Sequence, residues 1–390
     1  MNFSDKFARV KPSATISVNA RALELKAQGA DIISLAIGDP DFITPRHIRE
    51  AAKEAIDAGF TRYTAAAGIP ELRKAAAGYF ARQFGVEPKP ANVVITNGGK
   101  QAIYNLLQAL LNPGEEVLIP APYWVSYPDM VTLCDGVPVI VPAPVEAGFK
   151  VNPAMLEPRV TGKTKALILN TPSNPTGVTY TQVEVDAIMQ WAMDKGIFVL
   201  ADEIYDQLVY APAKHATAIH WWKKYPDRVA ICNGVSKSFA MTGWRLGYSV
   251  TGEALTKLAS TLQGQTTSNV CSITQKAALA ALTGPYDCVA EMRAAFQRRR
   301  DMGHAIVKGW KKAVCPMPDG AFYLFVDVHG YFTPDMPDDV ALSTMLLEKA
   351  NVAVVPGSAF GDAHCIRLSY ATADDTLREA LRRMGEALEG

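Results

Sequence analysis

Residues 165–205 read KALILNTPSNPTGVTYTQVEVDAIMQWAMDKGIFVLADEIY, and they carry the pattern of one strand–helix–strand unit. Two continuous apolar runs, KALILN (165–170) and IFVLAD (197–202), enclose the amphipathic stretch QVEVDAIMQWAMDKG. Apolar runs without alternation are typical of strands that are buried on both faces of a sheet. A helix between two such strands indicates that the strands are parallel neighbours in one sheet.

The same alternation continues on both sides of this unit. Further apolar runs are NVVIT (92–96), EVLIP (116–120), VPVIVP (137–142), RVAIC (228–232) and RLGYSV (245–250). Amphipathic stretches such as KQAIYNLLQALL lie between several of them. This order predicts an α/β fold in which a mostly parallel sheet is flanked by helices.

The C-terminal third has a different pattern. A long helix is predicted over 291–313, followed by the apolar runs GAFYLFVDV, VAVVPG and CIRLSYA and by a final helix in DDTLREALRRMGEAL. This pattern predicts a smaller α+β unit, which the short strand in IISLAIGDPDF would join. We therefore expect a large cofactor-binding domain at 45–285 and a small domain built from 1–44 and 286–390.

Composition limits the classes of partner. The 390 residues include 39 Lys and Arg and 39 Asp and Glu, so the formal net charge is zero and no nucleic-acid partner is expected. The N-terminus has no apolar signal-peptide core, and no run approaches the ~20 apolar residues of a membrane helix. Six scattered cysteines without a C-x-x-C pair predict free thiols in a reducing cytosol. The six histidines show no metal-ligand spacing, so no metal is expected.

Polar residues follow the predicted strands, at the edge where ligands bind in open α/β sheets. Gly98, Gly99 and Lys100 come after NVVIT and open a helix, where backbone N–H groups favour an anion. A plain glycine-rich turn is an equally consistent interpretation. TPSNPTG presents Asn174 after KALILN, although an ordinary strand-to-helix turn has the same composition.

Three further strand ends carry ionisable or phenolic groups. Asp202 follows an apolar run, so its carboxylate would be desolvated and need a cationic partner, unless it only caps the next turn. Tyr205 lies one turn later. Lys237 lies among small residues after RVAIC, where a lowered pKa would make its amine nucleophilic. Arg245 could hold a phosphate, and an ion pair with a neighbouring carboxylate is the alternative for both cations.

A ligand with a phosphate, a basic ring nitrogen, a phenolic oxygen and an aldehyde would use all of these groups. Pyridoxal phosphate is such a ligand. The sequence resembles the fold type I pyridoxal-phosphate aminotransferases, and within them the class I subgroup of bacterial aspartate aminotransferases. The motifs that carry the resemblance span nearly the whole chain: KPSAT, IGDPDF, RYTAAAGIPELR, NGGKQA, PYWVSYP, TPSNPTG, DEIY, SKSFAMTGWRLGY, GAFYLF, VVPGSAFG and IRLSYAT.

The resemblance implies a role for each residue around the cofactor ring. Lys237 would form a Schiff base with the cofactor and then move the proton between the substrate Cα and the cofactor. Asp202 would keep the pyridinium nitrogen protonated, and Asn174 and Tyr205 would hydrogen-bond the phenolic oxygen. Trp124 would stack on the ring, and a core aromatic is the alternative reading of this residue.

The resemblance also implies how phosphate, substrate and a second subunit are bound. Tyr63 would reach the phosphate of the neighbouring subunit, which implies a homodimer with shared sites. Arg367 would bind the substrate α-carboxylate, with the Gly38 backbone nearby. The residues expected around the phosphate are Gly98, Gly99, Lys100, Ser236 and Arg245.

Lys100 departs from the small or neutral residue that many aminotransferases have at this position. With Ser13 and Thr15 it resembles the subgroup that takes dicarboxylic substrates, and Thr15 with Lys100 resembles enzymes that also transaminate prephenate. The implied reaction transfers the amino group of aspartate to 2-oxoglutarate, giving oxaloacetate and glutamate, with prephenate as a further acceptor. Binding of phosphate alone remains the alternative for Lys100.

Other activities on the same scaffold remain open from the sequence. They are an aminotransferase for aromatic amino acids or alanine, and a pyridoxal-phosphate-dependent lyase or decarboxylase. A regulator that senses the cofactor without catalysis is disfavoured, because such proteins carry an extra DNA-binding segment and this chain has balanced charge.

Overall fold

A computed structural model of the chain describes residues 5–10 and 12–390. Lys11 of the KPSAT motif and residues 1–4 of the predicted N-terminal piece lie outside the described residues. The strands are β1 (Ile33–Ser34), β2 (Val93–Thr96), β3 (Glu116–Ala121), β4 (Val137–Pro142), β5 (Thr164–Asn170), β6 (Phe198–Asp202), β7 (Val229–Gly234), β8 (Gly247–Val250), β9 (Tyr323–Asp327), β10 (Val352–Ala353), β11 (Val355–Pro356) and β12 (Cys365–Ser369).

Helices surround these strands over the same part of the chain. They are α1 (Ala14–Ala27), α2 (Arg46–Asp57), α3 (Pro70–Phe84), α4 (Gly99–Leu110), α5 (Tyr127–Leu133), α6 (Pro153–Leu156), α7 (Gln182–Lys195), α8 (Ile219–Lys224), α9 (Glu253–Thr266), α10 (Ser272–Thr283), α11 (Asp287–Val307), α12 (Asp339–Lys349) and α13 (Asp374–Glu389). No described helix combines the length and the apolar character needed to cross a membrane.

The large sheet has seven strands in the order β2-β8-β7-β6-β5-β3-β4. The strands from β7 to β4 in that order are parallel, whereas β8 is antiparallel to both β7 and β2. The α/β fold with a mostly parallel sheet is therefore confirmed. The carboxyl ends of β2, β3, β5, β6 and β7 and the amino end of β8 all lie at one edge of the sheet.

Both faces of the large sheet are buried, which explains the continuous apolar runs. In β6, Val199 packs into a core with α3, α7, α8 and α10, whereas the next residue, Leu200, packs into a core with α4, α5 and α9. Successive strand residues point to opposite faces, so both neighbours have to be apolar. A capping box between Thr181 and Glu184 begins α7, and Gly196 with a φ of 74° ends it.

A second set of strands forms a smaller layer with α11, α12 and α13. Strands β11, β12 and β9 form an antiparallel sheet in that order, and β1 pairs in parallel with β10. Ile33 of the N-terminal segment is thus in register with Val352 near the C-terminus. The division into domains at 45–285 and at 1–44 with 286–390 stays a prediction.

The long C-terminal helix differs from the prediction. It was expected over 291–313, but α11 ends at Val307. Trp310 is only 5% exposed and packs into the core of the smaller layer beside α13. The helix ends where Gly309, a poor helix former, follows the C-cap residue Lys308.

Candidate active site

A cavity of about 300 Å³ opens at the edge of the large sheet where the parallel strands end. It gathers all but two of the site residues that the sequence predicted, and it also takes in the N-terminal segment and β12. The predicted residues that line it are Ser13, Thr15, Gly38, Gly99, Lys100, Trp124, Asn174, Asp202, Tyr205, Ser236, Lys237, Arg245 and Arg367.

Gly98 and Tyr63 are the two predicted residues outside the lining. Gly98 has a φ of 83°, a backbone conformation that favours glycine, and a Cβ there would lie 2.5 Å from the Arg245 Nη2 atom. Tyr63 is 89% exposed. Its contact with a second subunit stays a prediction.

Asp202 is a buried carboxylate at the end of β6. The Tyr127 hydroxyl donates a hydrogen bond to Oδ2 at 2.6 Å, and the Ile204 N–H donates one to Oδ1 at 3.2 Å. Burial raises the pKa of Asp202 to about 6, although these two hydrogen bonds act in the opposite direction. Asp202 therefore caps the following turn, as the alternative interpretation had it, and it also faces the cavity without an ion-pair partner among the described residues.

Lys237 lies three residues beyond β7. Its Nζ donates a hydrogen bond to the Gly38 carbonyl oxygen at 2.7 Å and lies 5.9 Å from the centroid of the Tyr205 ring. Burial lowers the pKa of Lys237 to about 8, and the charges of Arg367 and Arg245 act in the same direction. Within the described chain no carboxylate forms an ion pair with it, so the ion-pair interpretation has no support in the geometry.

The amino end of α4, Ser236 and Arg245 form one corner of the cavity. The backbone of Gly247 approaches the Gly98–Gly99 loop so closely that a Cβ at position 247 would lie 2.5 Å from the Gly99 nitrogen. Arg245 has a φ of 54°, and its Nη1 donates a hydrogen bond to the Thr242 carbonyl oxygen at 2.9 Å. A helix N-terminus beside a guanidinium group is an anion-binding arrangement.

Arg367 of β12 is a buried cation whose charge no described residue balances. It is 2% exposed; its Nη1 donates to the Asn174 Oδ1 at 2.9 Å, and its Nη2 donates to the Ala36 carbonyl oxygen at 2.5 Å. Its guanidinium carbon lies 4.6 Å from the centroid of the Tyr323 ring. Its Nε is buried without a hydrogen-bond partner in the described structure. An anionic ligand in the cavity would balance this charge.

Lys100 and Trp124 lie on another wall of the cavity. The Lys100 Nζ lies 5.0 Å from the centroid of the Trp124 indole, and Trp124 packs edge-on against Tyr127 with ring centroids 5.4 Å apart. Burial lowers the pKa of Lys100, and the charge of Arg245 lowers it further. Ser13 and Thr15 line the same cavity from the start of α1.

Three residues of the site were not assigned from the sequence. Tyr127 holds Asp202, the Tyr323 hydroxyl lies 2.9 Å from that of Tyr205, and the Asn170 Oδ1 accepts a hydrogen bond from the Asn174 N–H at 3.0 Å. Tyr127 and Tyr323 belong to PYWVSYP and GAFYLF, two of the motifs quoted above. A buried polar residue inside a recognised motif was the available signal.

Comparisons with known proteins agree with this fold. The chain belongs to the aminotransferase class I and II family, whose model matches residues 30–384. The expected family and the expectation of an enzyme are confirmed.

Several relatives are similar over nearly their full length. The aspartate/prephenate aminotransferase of Cereibacter sphaeroides is 49% identical over 388 residues, which cover 98% of this chain and 97% of that protein. The aspartate aminotransferase of Geobacillus stearothermophilus is 41% identical, with 100% and 99% covered. The solved aspartate aminotransferase of Rhizobium meliloti superposes with a TM-score of 0.95 at 37% identity, covering 100% of this chain and 99% of that one. The Thermus thermophilus enzyme solved with maleate has a TM-score of 0.94 at 40% identity, covering 99% and 100%.

Proposed function

We propose that the protein is a pyridoxal-phosphate-dependent aminotransferase that moves the amino group of aspartate to 2-oxoglutarate, giving oxaloacetate and glutamate. The observation that carries the proposal is Arg367, a buried guanidinium without an ion-pair partner among the described residues, which lines the same cavity as Lys237 and Asp202. The α-carboxylate of an amino acid would pair with Arg367 beside an amine of lowered pKa. The relatives that are named aspartate/prephenate aminotransferase and aspartate aminotransferase support aspartate as the substrate.

The residues present fit pyridoxal phosphate. Asp202 is a buried carboxylate that a cationic ring nitrogen would stabilise, and Lys237 is an amine suited to an aldehyde. Gly99 at the amino end of α4, together with Ser236 and Arg245, suits a phosphate. When bound, this cofactor supplies a ring that accepts the electron pair left when the substrate Cα loses its proton.

The chain's own groups would then manage protons and orientation. The Lys237 amine, with its pKa of about 8, would take the proton from the substrate Cα and return it at the acceptor carbon. Asp202 would hold a proton on the ring nitrogen. Asn174 and Tyr205 would direct hydrogen bonds at the phenolic oxygen, and Trp124 would cover the ring face and keep water from it.

Lys100, together with Ser13 and Thr15 of the same cavity, would bind the second carboxylate of a dicarboxylic substrate. The relative from T. thermophilus was solved with maleate, which is a dicarboxylate. Prephenate also carries two carboxylates, and the relative from C. sphaeroides is named for it. We therefore include prephenate as an amino acceptor, with arogenate as its product.

A single substitution separates the two roles of Lys100. In Lys100→Gln, kcat/KM for aspartate and prephenate should fall about 10–100-fold, whereas kcat/KM for alanine should stay within about twofold. Lys163→Gln is the matched control, because Lys163 is exposed ahead of β5 at the opposite edge of the sheet. An equal loss with aspartate and alanine would show that Lys100 serves only the phosphate.

The assembly and compartment belong to the same proposal. Tyr63 is an exposed aromatic that would reach the phosphate bound to a partner subunit, so the active unit would be a homodimer. All six cysteines are free, which suits a reducing cytosol. Sedimentation velocity should give a dimer. The Tyr63→Phe variant should bind the cofactor more weakly, and it should remain a dimer.

A further inference from the structure

A cluster of three metal-binding side chains lies outside the active cavity. Asp327, His329 and His364 each offer a ligand atom, and these atoms all lie within 4.8 Å of one another. Over residues 5–10 and 12–390, no other group of three or more His, Cys, Asp or Glu side chains meets this criterion. None of the three lines the cavity of the proposed active site.

The sheet of the smaller layer fixes the backbone of this cluster. Asp327 is the last residue of β9 and is in register with Cys365, the first residue of β12. His364 directly precedes β12, and its carbonyl oxygen accepts a hydrogen bond from the Val328 N–H at 2.8 Å. Strand pairing therefore holds Asp327 beside His364, and hydrogen bonds to Asp327 hold His329 in the turn that follows β9, so the chain need not be ordered when an ion binds.

The side chains combine a buried anion with two exposed rings. The Asp327 side chain is 8% exposed, and its Oδ1 is hydrogen-bonded to the His329 N–H at 3.0 Å and to the His329 Nδ1 at 2.7 Å. The rings of His329 and His364 lie 5.2 Å apart between centroids, with 36° between their planes. Among the described residues no lysine or arginine forms an ion pair with Asp327. An ion could thus enter from solvent and meet two nitrogens and a carboxylate.

We propose that Asp327, His329 and His364 bind a divalent transition-metal ion of the zinc class. Imidazole nitrogen with one carboxylate oxygen suits zinc, cobalt or nickel, whereas magnesium and calcium favour all-oxygen sites. At metal–ligand distances of about 2.1 Å, tetrahedral ligand atoms lie about 3.4 Å apart, so small side-chain rotations complete the site. The proton shared by Asp327 and His329 leaves to solvent as the ion binds, and water fills the remaining coordination.

The bound ion would join the end of β9 to the turn before β12. These two strands also carry Tyr323 and Arg367, which lie at the active cavity. The metal would therefore stabilise the strand pair behind the substrate-binding arginine without contacting substrate. Its expected signature is a gain in thermal stability with unchanged turnover, because a ligand that binds only the native state stabilises it.

The test uses the chelator-treated holoenzyme, titrated with Zn²⁺ by calorimetry and with Co²⁺ by visible absorption. One ion per chain is expected, with Kd raised at least about tenfold in His329→Ala and in His364→Ala and binding lost in the double variant. His220→Ala is the matched control, because His220 is exposed on α8. Zn²⁺ should raise the thermal midpoint of the wild type and of the control but not that of the double variant.

Two results would overturn the proposal. One is the absence of saturable binding in the wild type below about 1 mM ion. The other is binding with an unchanged Kd in the double variant together with loss of binding in Cys271→Ser. That result would place the ion at Cys271, an exposed thiol that could bind the same metals. Circular dichroism and turnover of the double variant establish that it is folded.

Discussion

The two walls of the active cavity are built in different ways. On the sheet-edge wall, Asp202 is the last residue of β6 and Lys237 lies three residues beyond the neighbouring strand β7, so the pairing of these two strands brings them to one edge. On the opposing wall, Arg367 reaches the Ala36 carbonyl oxygen across 331 positions of the chain, and Lys237 meets Gly38 across 199. The first wall is fixed by one sheet and the second by long-range side-chain contacts. Changes on the first wall should therefore abolish chemistry, whereas changes on the second should mainly weaken substrate binding.

The largest effect is expected on the sheet-edge wall at Lys237. Lys237→Ala should lower kcat by at least about 10⁴-fold, because the variant loses both the covalent anchor and the group that moves the proton. Single-turnover absorbance with aspartate measures this loss directly. Substantial turnover in this variant would show that Lys237 is not the catalytic amine, and the comparison of the two walls would lose its basis.

Asp202 should show opposite effects on activity and stability. Asp202→Asn should lower kcat about 10²–10³-fold, because the amide cannot hold a proton on the ring nitrogen. The raised pKa means that the folded, cofactor-free protein loses stability as pH rises from about 4 to about 6. The variant should thus be more stable than the wild type by about 1–3 kcal/mol at pH 8, and equally stable at pH 4.

Urea denaturation of both cofactor-free proteins at the two pH values gives this difference. In the variant the asparagine Oδ1 can accept from the Ile204 N–H and its Nδ2 can donate to the Tyr127 hydroxyl oxygen, so both contacts can survive the substitution. A variant that is less stable than the wild type at pH 8 would contradict the assignment of Asp202 as a strained, desolvated carboxylate.

On the opposing wall, Arg367→Lys should act on binding. The ammonium keeps the charge but loses the fork that reaches Asn174 and Ala36, so kcat/KM for aspartate should fall by about 10²-fold. Most of the loss should appear as a higher KM. Steady-state kinetics with aspartate measure kcat and KM separately. A loss confined to kcat would show that Arg367 acts on the chemical step, as the residues of the sheet-edge wall do.

The smallest effect concerns the contact that holds the Gly38 segment. Arg299 binds Asp41 at 2.7 and 3.0 Å and Asp374 at 2.8 Å. Asp41→Asn should cost about 1–3 kcal/mol of stability and raise KM for aspartate a few-fold. Asp374→Asn is the matched control, because it weakens the same arginine from α13 and should leave KM unchanged. Equal KM values in the two variants would show that Asp41 does not help to position the opposing wall for substrate binding.

The sheet-edge wall could be predicted from sequence because its signals are local. Continuous apolar runs identified the strands, and each functional residue lies within a few positions of a strand end. Tyr127 and Tyr323 were missed because a buried tyrosine in a motif has the same sequence signature as a core aromatic. The cluster of Asp327, His329 and His364, for which metal binding is proposed, was missed because His364 is distant in sequence from the other two residues, and only the pairing of β9 with β12 brings them together.

The sequence by itself determined the family and the α/β order, and it predicted the residues that gather at the sheet edge. Hydrophobic periodicity, turn residues and motifs are properties of short segments, so they can be read without the fold. Only the tertiary structure decided which charged side chains are buried without an ion-pair partner. Asp202, Lys237 and Arg367 acquire their shifted pKa values only when burial removes water and the neighbouring charges are placed. Desolvation depends on residues from every part of the chain, and no segment read alone contains that information.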